Sequence, residues 1–335
     1  MSTPPEDESS FHKTPALVSI AIPARNEAAF IGACLDSVLG QTYQHFEVLV
    51  VDGDSTDGTA RLVQEYARTD RRVRLLSNPR RIIPISLNIA LAAATGEYLV
   101  RIDAHATVNA EYVERAVDHL ASGKWSGVGG RVDAIGITPT GCAVAEVMAS
   151  RFGIGNAVHH YGTQPVSSDH VPFPGYRTAL VREMGGWAED LRVNQDFEFD
   201  YRLTQQGHQL LYDPDMVIGY HCQQTLLGVF RQFRRYGRGK AKVIIRHPDS
   251  VRLRHFAAPG LVAGWTIASL LGRRHRSLVA LATIPYACAL AAGTAIAGKG
   301  KQPSVKARLP VVFVIVHVAW GLGFWEGVLR EFRVP

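Results

Sequence analysis

The stretch VLVVDGDSTDGT, residues 48–59, sets Asp52, Asp54, Thr56 and Asp57 directly after an apolar run. As D-x-D-x-T it fits phosphoryl transfer through a nucleophilic aspartate. As D-x-x-S-T-D-G-T it fits a loop that binds a nucleotide. A second acidic site, RIDAH, puts Asp103 and His105 after another apolar run, and a third, NQDFEFDYRL, puts Asp196 at the start of a helical pattern. A nucleophilic aspartate of this kind follows the first strand of its core. Here another strand and loop, ending in PARNE (23–27), come first. The spacing therefore favours the nucleotide over the nucleophile. No G-x-G-x-x-G follows the first strand, and no G-x-x-x-x-G-K-[ST] occurs. A calcium loop fails because Val63 stands where a bidentate Glu is required.

The elements that must position these residues alternate. LVSIAI (17–22), FEVLVV (46–51), VRLL (73–76) and YLVRI (98–102) read as strands. Phe30, Ile31, Cys34, Leu35, Val38 and Leu39 recur at helical spacing between the first two. Pro84 suits the first turn of a helix ending near Gly96. Asp57 and Asn109 are candidate helix caps, as is Asn194 for a helix over 192–207 that stops at Gly207. Alternation of this kind predicts an α/β fold with a mostly parallel sheet flanked by helices. Ligands then gather at the carboxyl ends of strands, where Asp52, Asp54, Asp103 and His105 lie. Asp196 falls in a first helical turn, where the dipole favours its charge.

With 335 residues the chain has room for one large domain or two. The polar tail over residues 1–15 has no apolar core of a signal peptide and is expected to be disordered. Cys34, Cys142, Cys222 and Cys288 are scattered and read as core residues in a reducing compartment. The formal net charge is +6, and Arg231, Arg234, Arg235, Arg238, Lys240, Lys242 and Arg246 crowd one segment. That segment, 228–255, reads as amphipathic and interfacial, directed to anionic lipid rather than nucleic acid.

Three apolar runs follow, about 256–272, 277–298 and 309–329. A span needs roughly 20 apolar residues, so residues 256–335 are expected to hold two to three transmembrane helices. If all three cross from a cytosolic catalytic domain, RRHR (273–276) falls outside, against the positive-inside tendency. If the first is interfacial, the conflict moves to the loop with Lys299, Lys301, Lys306 and Arg308.

In order, VSIAIPARNE, LDSVLGQTYQHFEVLVVDGDSTDGT, ATGEYLVRIDAHA, GGWAEDLRVNQDFEFDYRLTQQG and RQFRRYGRGK resemble, over about residues 17–245, a family 2 glycosyltransferase whose GT-A catalytic domain would span residues 16–227. The RIDAHA and NQDFEFDYRL forms and the apolar tail are most similar to its succinoglycan-biosynthesis branch. The resemblance implies an inverting transfer of a sugar, glucose in that branch, from a nucleotide-sugar donor. The implied acceptor is a polyprenyl-diphosphate-linked saccharide, and the implied location is the cell membrane with the catalytic domain cytoplasmic.

The same resemblance assigns roles. Asp103 and His105 replace a D-x-D pair and would hold a divalent metal, Mn²⁺ or Mg²⁺, with Mn²⁺ better suited to the imidazole. Pro23, Arg25, Glu27, Asp52, Asp54 and Asp103 would line the nucleotide pocket. Asp52-Gly53-Asp54 departs from the Asp-Asp of many relatives, leaving the role of Asp54 open. Asp196 would be the general base, although Gln195 replaces the usual acid before it. Gly175, Trp187, Gln232, Arg235 and Tyr236 would meet the acceptor or its diphosphate. His221, Arg80 and Arg81 are weaker diphosphate candidates. The rival readings are a sugar nucleotidyltransferase of related fold, which leaves the apolar tail unexplained, and a non-catalytic membrane scaffold, which leaves Asp52, Asp103 and Asp196 unexplained.

Overall fold

A computed structural model describes residues 15–271 and 276–331. Residues 1–14 of the expected disordered tail and most of RRHR (273–276) lie outside the described residues.

The first half runs as expected: β1 (Val18–Ala24), α1 (Ile31–Leu39), β2 (Phe46–Asp52), α2 (Thr59–Thr69), β3 (Val73–Ser77), α3 (Ile83–Ala93), β4 (Tyr98–Arg101). Then come β5 (Ala106–Val108), α4 (Tyr112–Ala121), β6 (Gly127–Ile135), α5 (Pro139–Met148), α6 (Arg151–Ile154), β7 (Val166–Ser168) and β8 (Gly175–Arg177). The chain continues through α7 (Thr178–Glu183), α8 (Gln195–Gln205), β9 (Leu210–His221) and α9 (Leu226–Arg246). It ends with α10 (Ala257–Leu270), α11 (Arg276–Ala297), α12 (Pro303–Lys306) and α13 (Leu309–Glu331).

The sheet order is β3-β2-β1-β4-β8-β6-β9-β5, with β7 also on β9. β3, β2, β1 and β4 are parallel, whereas β8 is antiparallel to both β4 and β6. Side-chain alternation along β1 divides the core. Val18, Ile20 and Ile22 pack with Ile31 and Leu35 of α1 and Val113 of α4. Ala21 faces the other layer, with Leu87 of α3 and Phe199 of α8. The parallel strands end together, so Asp52 and the loop after β4 share one edge.

Two expected caps differ in detail. Asn194 does stand before α8, but with φ 60° and no side-chain cap; its amide donates to the Tyr236 carbonyl and so ties α8 to α9. Asn109 spends its side chain on Val217 and Asp215 of β9 instead of capping α4. Asp57 does serve the start of α2, accepting from Thr59, and also holds Ala28 beyond β1.

The basic segment is a 21-residue helix, α9. Much of its charge meets protein. Arg234 and Arg238 pair with Glu326 of α13 at 2.9 and 3.2 Å, and Lys242 and Arg246 pair with Asp190. α9 and α13 cross closely because glycines face the contact. A Cβ on Gly323 would overlap the Arg234 carbonyl, and one on Gly237 the Trp320 carbonyl. Val229 and Phe233 of α9, Val144 of α5 and Phe313 of α13 form a third core there.

Among the described residues, one helix, Pro303–Glu331, is long and apolar enough to cross a membrane. The 14 residues of α10 fall short of the roughly 20 required. The apolar part of α11 among the described residues, Thr283–Ala297, is also short.

Candidate active site

Two cavities meet beyond the carboxyl ends of the parallel strands. One, of about 720 Å³, is lined by Pro23, Arg25 and Gly53 from the first two strand ends, with Arg81, Arg238 and Lys242 around it. The other, of about 790 Å³, is lined by His170, Asp196, Tyr220, Gln232, Tyr236 and Lys240. Glu27, Asp103, His105, Arg192 and Arg235 belong to both walls. The expected metal pair therefore stands at the junction, with Pro23 and Arg25 of the expected nucleotide residues on one side and the expected base on the other; Asp52 and Asp54 line neither cavity.

Arg101, the last residue of β4, organises this junction. Its guanidinium grips Asp103 with both arms, Nε to Oδ1 at 2.9 Å and Nη2 to Oδ2 at 3.2 Å. Nη1 lies 3.5 Å from Asp196 Oδ2 and makes no hydrogen bond. The side chain is only 7% exposed, so its charge acts through little water and strongly on both acids. Burial alone would raise the Asp196 carboxyl. His170 and Arg101 outweigh it and hold Asp196 below the ordinary carboxylate range. Asp196 is thus ionised at neutral pH, as a proton acceptor must be.

His170 is held in turn. Its Nδ1 lies 2.7 Å from Asp200 Oδ2, and Asp200 is fully buried, also accepting from the Val171 amide and the Tyr176 hydroxyl. Burial pulls the imidazole down, but Asp200 reverses this and raises its pKa. Little in the residue pattern pointed to Arg101, His170, Asp200 or Arg192. Their only signal was position: Arg101 and Arg192 are inside the motifs already singled out, and Asp200 is one helical turn after Asp196.

The residues expected to bind the nucleotide are placed as follows. Asp52 is 9% exposed; Oδ2 accepts from the Ser55 amide at 3.1 Å and Oδ1 is buried without a partner. Such an orphaned acceptor is costly unless a ligand donates to it. Asp54 turns away. It has φ 57°, half its side chain is exposed, and it pairs with Arg81. A Cβ at Gly53, where many relatives carry an acid, would stand 3.2 Å from the Arg25 Cβ, a tight contact, and 3.4 Å from the Ala24 carbonyl, an ordinary one. Glu27 lies 3.4 Å from His105 Nδ1.

Among the residues expected to meet the acceptor, Gln232 donates to the hydroxyls of Tyr220 and Tyr236, each at 3.0 Å, and its own Oε1 is buried without a partner. Arg235 reaches the junction from α9. Two expected acceptor residues are corrected. Trp187 is 2% exposed, packs on Phe199 at 5.2 Å and binds Asn88 through its backbone. It is a core residue because the layer between α3 and α8 needs its volume. Gly175 sits inside the sheet, facing Ala116, Val100 and Val128, and touches neither cavity.

The residues at the junction suit a divalent ion. Asp103 offers a carboxylate and His105 an imidazole two residues apart, both facing the shared wall. No group of three such ligands exists among the described residues. The pair would leave most coordination positions for oxygens of a bound diphosphate.

The model of Glycosyl transferase family 2 matches residues 19–185. The chain is 32% identical to the succinoglycan biosynthesis protein ExoA of Rhizobium meliloti (strain 1021), over 94% of this chain and 95% of that one. It is 24% identical to a Methanococcus voltae dolichyl N-acetyl-alpha-D-glucosaminyl phosphate 3-beta-D-2,3-diacetamido-2,3-dideoxy-beta-D-glucuronosyltransferase, over 93% and 97%. Among solved structures it is similar to the mannosyltransferase PcManGT of Pyrobaculum calidifontis in complex with GDP-Man and Mn²⁺. The TM-score is 0.61 at 22% identity, covering 93% of this chain and 87% of that one. The fold is that of the GT-A glycosyltransferases. The chain belongs to glycosyl transferase family 2.

Proposed function

We propose that this protein is an inverting, metal-dependent glycosyltransferase that moves a sugar, glucose by the resemblance to the succinoglycan branch, from a nucleotide donor to a lipid-linked saccharide. One observation carries the reading most: Arg101 joins Asp103 to Asp196 where the two cavities meet. A donor in the first cavity and an acceptor in the second would have their reacting ends at that point.

The roles follow from placement. The orphaned Oδ1 of Asp52 takes a donated hydrogen bond from the base, beside Pro23 and Arg25. Asp103 and His105 hold the divalent ion. That ion would offset the charge that develops on the diphosphate as it leaves. Arg235 and Arg192, which form no ion pair among the described residues, face the same diphosphate. Asp196 takes the proton of the acceptor hydroxyl as it attacks the anomeric carbon. A single displacement of this kind inverts the configuration. Gln232 and Tyr236 present polar groups to the acceptor sugar.

The proposed location is the cell membrane, with the catalytic domain on the cytoplasmic side. α13 supplies the anchor, and exposed apolar residues such as Leu270, Leu281 and Ile296 give the lipid-facing surface. The test is transfer by membranes from a panel of labelled nucleotide sugars into an organic-extractable fraction. Asp196→Asn is expected to lower kcat by roughly 10²- to 10⁴-fold, the range of a general base, with little change in donor KM. Transfer by Asp196→Asn at the wild-type rate would overturn the mechanism.

A further inference from the structure

A third cavity, of about 600 Å³, adjoins the acceptor cleft on the side of the apolar helices. Its walls are Phe152 of α6, Phe233 of α9, Leu261 of α10, Tyr286 of α11, and Val316 and Trp320 of α13. It shares His159, His170, Phe197, Tyr236 and Lys240 with the acceptor cleft. One route therefore leads from the wall at Asp196 to a space between the helices that carry the exposed apolar surface.

Lys240 stands where the two spaces join. It is nine-tenths buried, with its ammonium 3.1 Å from the centroid of the Phe197 ring. Among the described residues it forms no ion pair; Asp169 and Asp196 act on it only from a distance. Burial, and then repulsion from Arg254, bring its pKa down to about 7. Arg254 lines the same cavity and is held at 3.6 Å by Asp169. A buried ammonium without a counter-ion is unfavourable. Here it lies between an apolar chamber and a polar cleft, which is the order of parts in a lipid phosphate that carries a sugar.

We propose that this cavity seats the lipid end of the acceptor, with an isoprenoid chain between α10, α11 and α13 and the adjoining diphosphate on Lys240. The inference rests on the transferase reading above and adds the site of the anchor. Continuity with the Asp196 cleft selects a sugar-bearing polyprenyl diphosphate over a bulk phospholipid, which would have no use for that passage.

The full chain in nanodiscs is photolabelled with a polyprenyl diphosphate bearing a diazirine on its first isoprene units. Label is expected on Phe152, Leu261, Val316 or Trp320, and an equal concentration of phosphatidylglycerol should leave it in place. In parallel, Lys240→Met should raise the KM for a polyprenyl-diphosphate-linked saccharide at least tenfold. The nucleotide-sugar KM should move less than twofold, and Lys240→Arg should recover most of the loss. Label confined to the outer faces of α11 and α13, full displacement by phosphatidylglycerol, or an unchanged acceptor KM in Lys240→Met would overturn the inference. If Lys240→Met melts well below wild type, the labelling of the wild-type chain decides. Failure of the wild type to transfer from any nucleotide sugar would instead sink the transferase reading, and the label would still report what the cavity holds.

Discussion

A single guanidinium connects the two acids to which the proposed chemistry is assigned. Arg101 uses two nitrogens on Asp103 and turns the third toward Asp196. A lysine keeps the charge but not the fork. Arg101→Lys is therefore expected to fold, to lower kcat at least tenfold and to need more Mn²⁺ for half-saturation, measured by steady-state kinetics with a thermal melt as control. Asp52 and Asp54 give a second contrast. Asp52→Asn should raise the donor KM roughly tenfold or more, as the loss of a charged hydrogen bond would. Asp54→Asn breaks only an exposed pair with Arg81, worth about 0–1 kcal/mol, and should change that KM less than threefold. Residue types showed where acids lie after strands, and Asp103, His105 and Asp196 do converge. They did not show which side chains turn inward. Trp187, expected at the acceptor, is a core residue, and only its packing against Phe199 shows this. Lys240 looked like one more cation in a basic run, because burial of a long side chain depends on what packs across from it.

At the scale of elements, the parallel half was legible because β1, β2 and β4 are continuous apolar runs ending in polar loops. β6 and β9 were not. Gly127, Gly129 and Gly130 spoil the apolar pattern of β6, yet the fold requires them: a Cβ at Gly127 would meet the Tyr176 ring at 2.6 Å, and one at Gly129 the Val171 Cβ at 2.8 Å. In β9, Pro214 lies within the run and the ladder with β6 shifts register after Gly130. The α9–α13 crossing was equally hidden, because the basic face of α9 suggested water or lipid head groups rather than Glu326. That crossing depends on small residues. Gly323→Leu is expected to cost roughly 1–3 kcal/mol or more of stability by overpacking, seen as a lower melting temperature in detergent.

At the scale of the molecule, two cavities share a wall of Glu27, Asp103, His105, Arg192 and Arg235. Chelation of divalent ions is expected to abolish transfer and to weaken nucleoside-diphosphate binding in calorimetry. Mn²⁺ should restore both better than Mg²⁺, given the imidazole at His105. A binding isotherm indifferent to chelator would remove Asp103 and His105 from the metal role. The cavity beside the ends of β1 and β2 is not closed by the parallel half alone: α9 contributes Arg235, Arg238 and Lys242, and α13 contributes Gly327 and Arg330.

That contribution bears on how such an enzyme can be handled and how it can evolve. In a protein whose anchor is a separate appendage, cutting the anchor away frees a working catalytic unit. Here the cut would remove Gly327 and Arg330 from the donor wall and leave α9 without the helix that its glycines and arginines were shaped to meet. Truncation before α13 would open the cavity proposed to hold the nucleotide. Inheritance works under the same constraint: another apolar segment in place of α13 would lose the residues it lends to that cavity and to the crossing with α9.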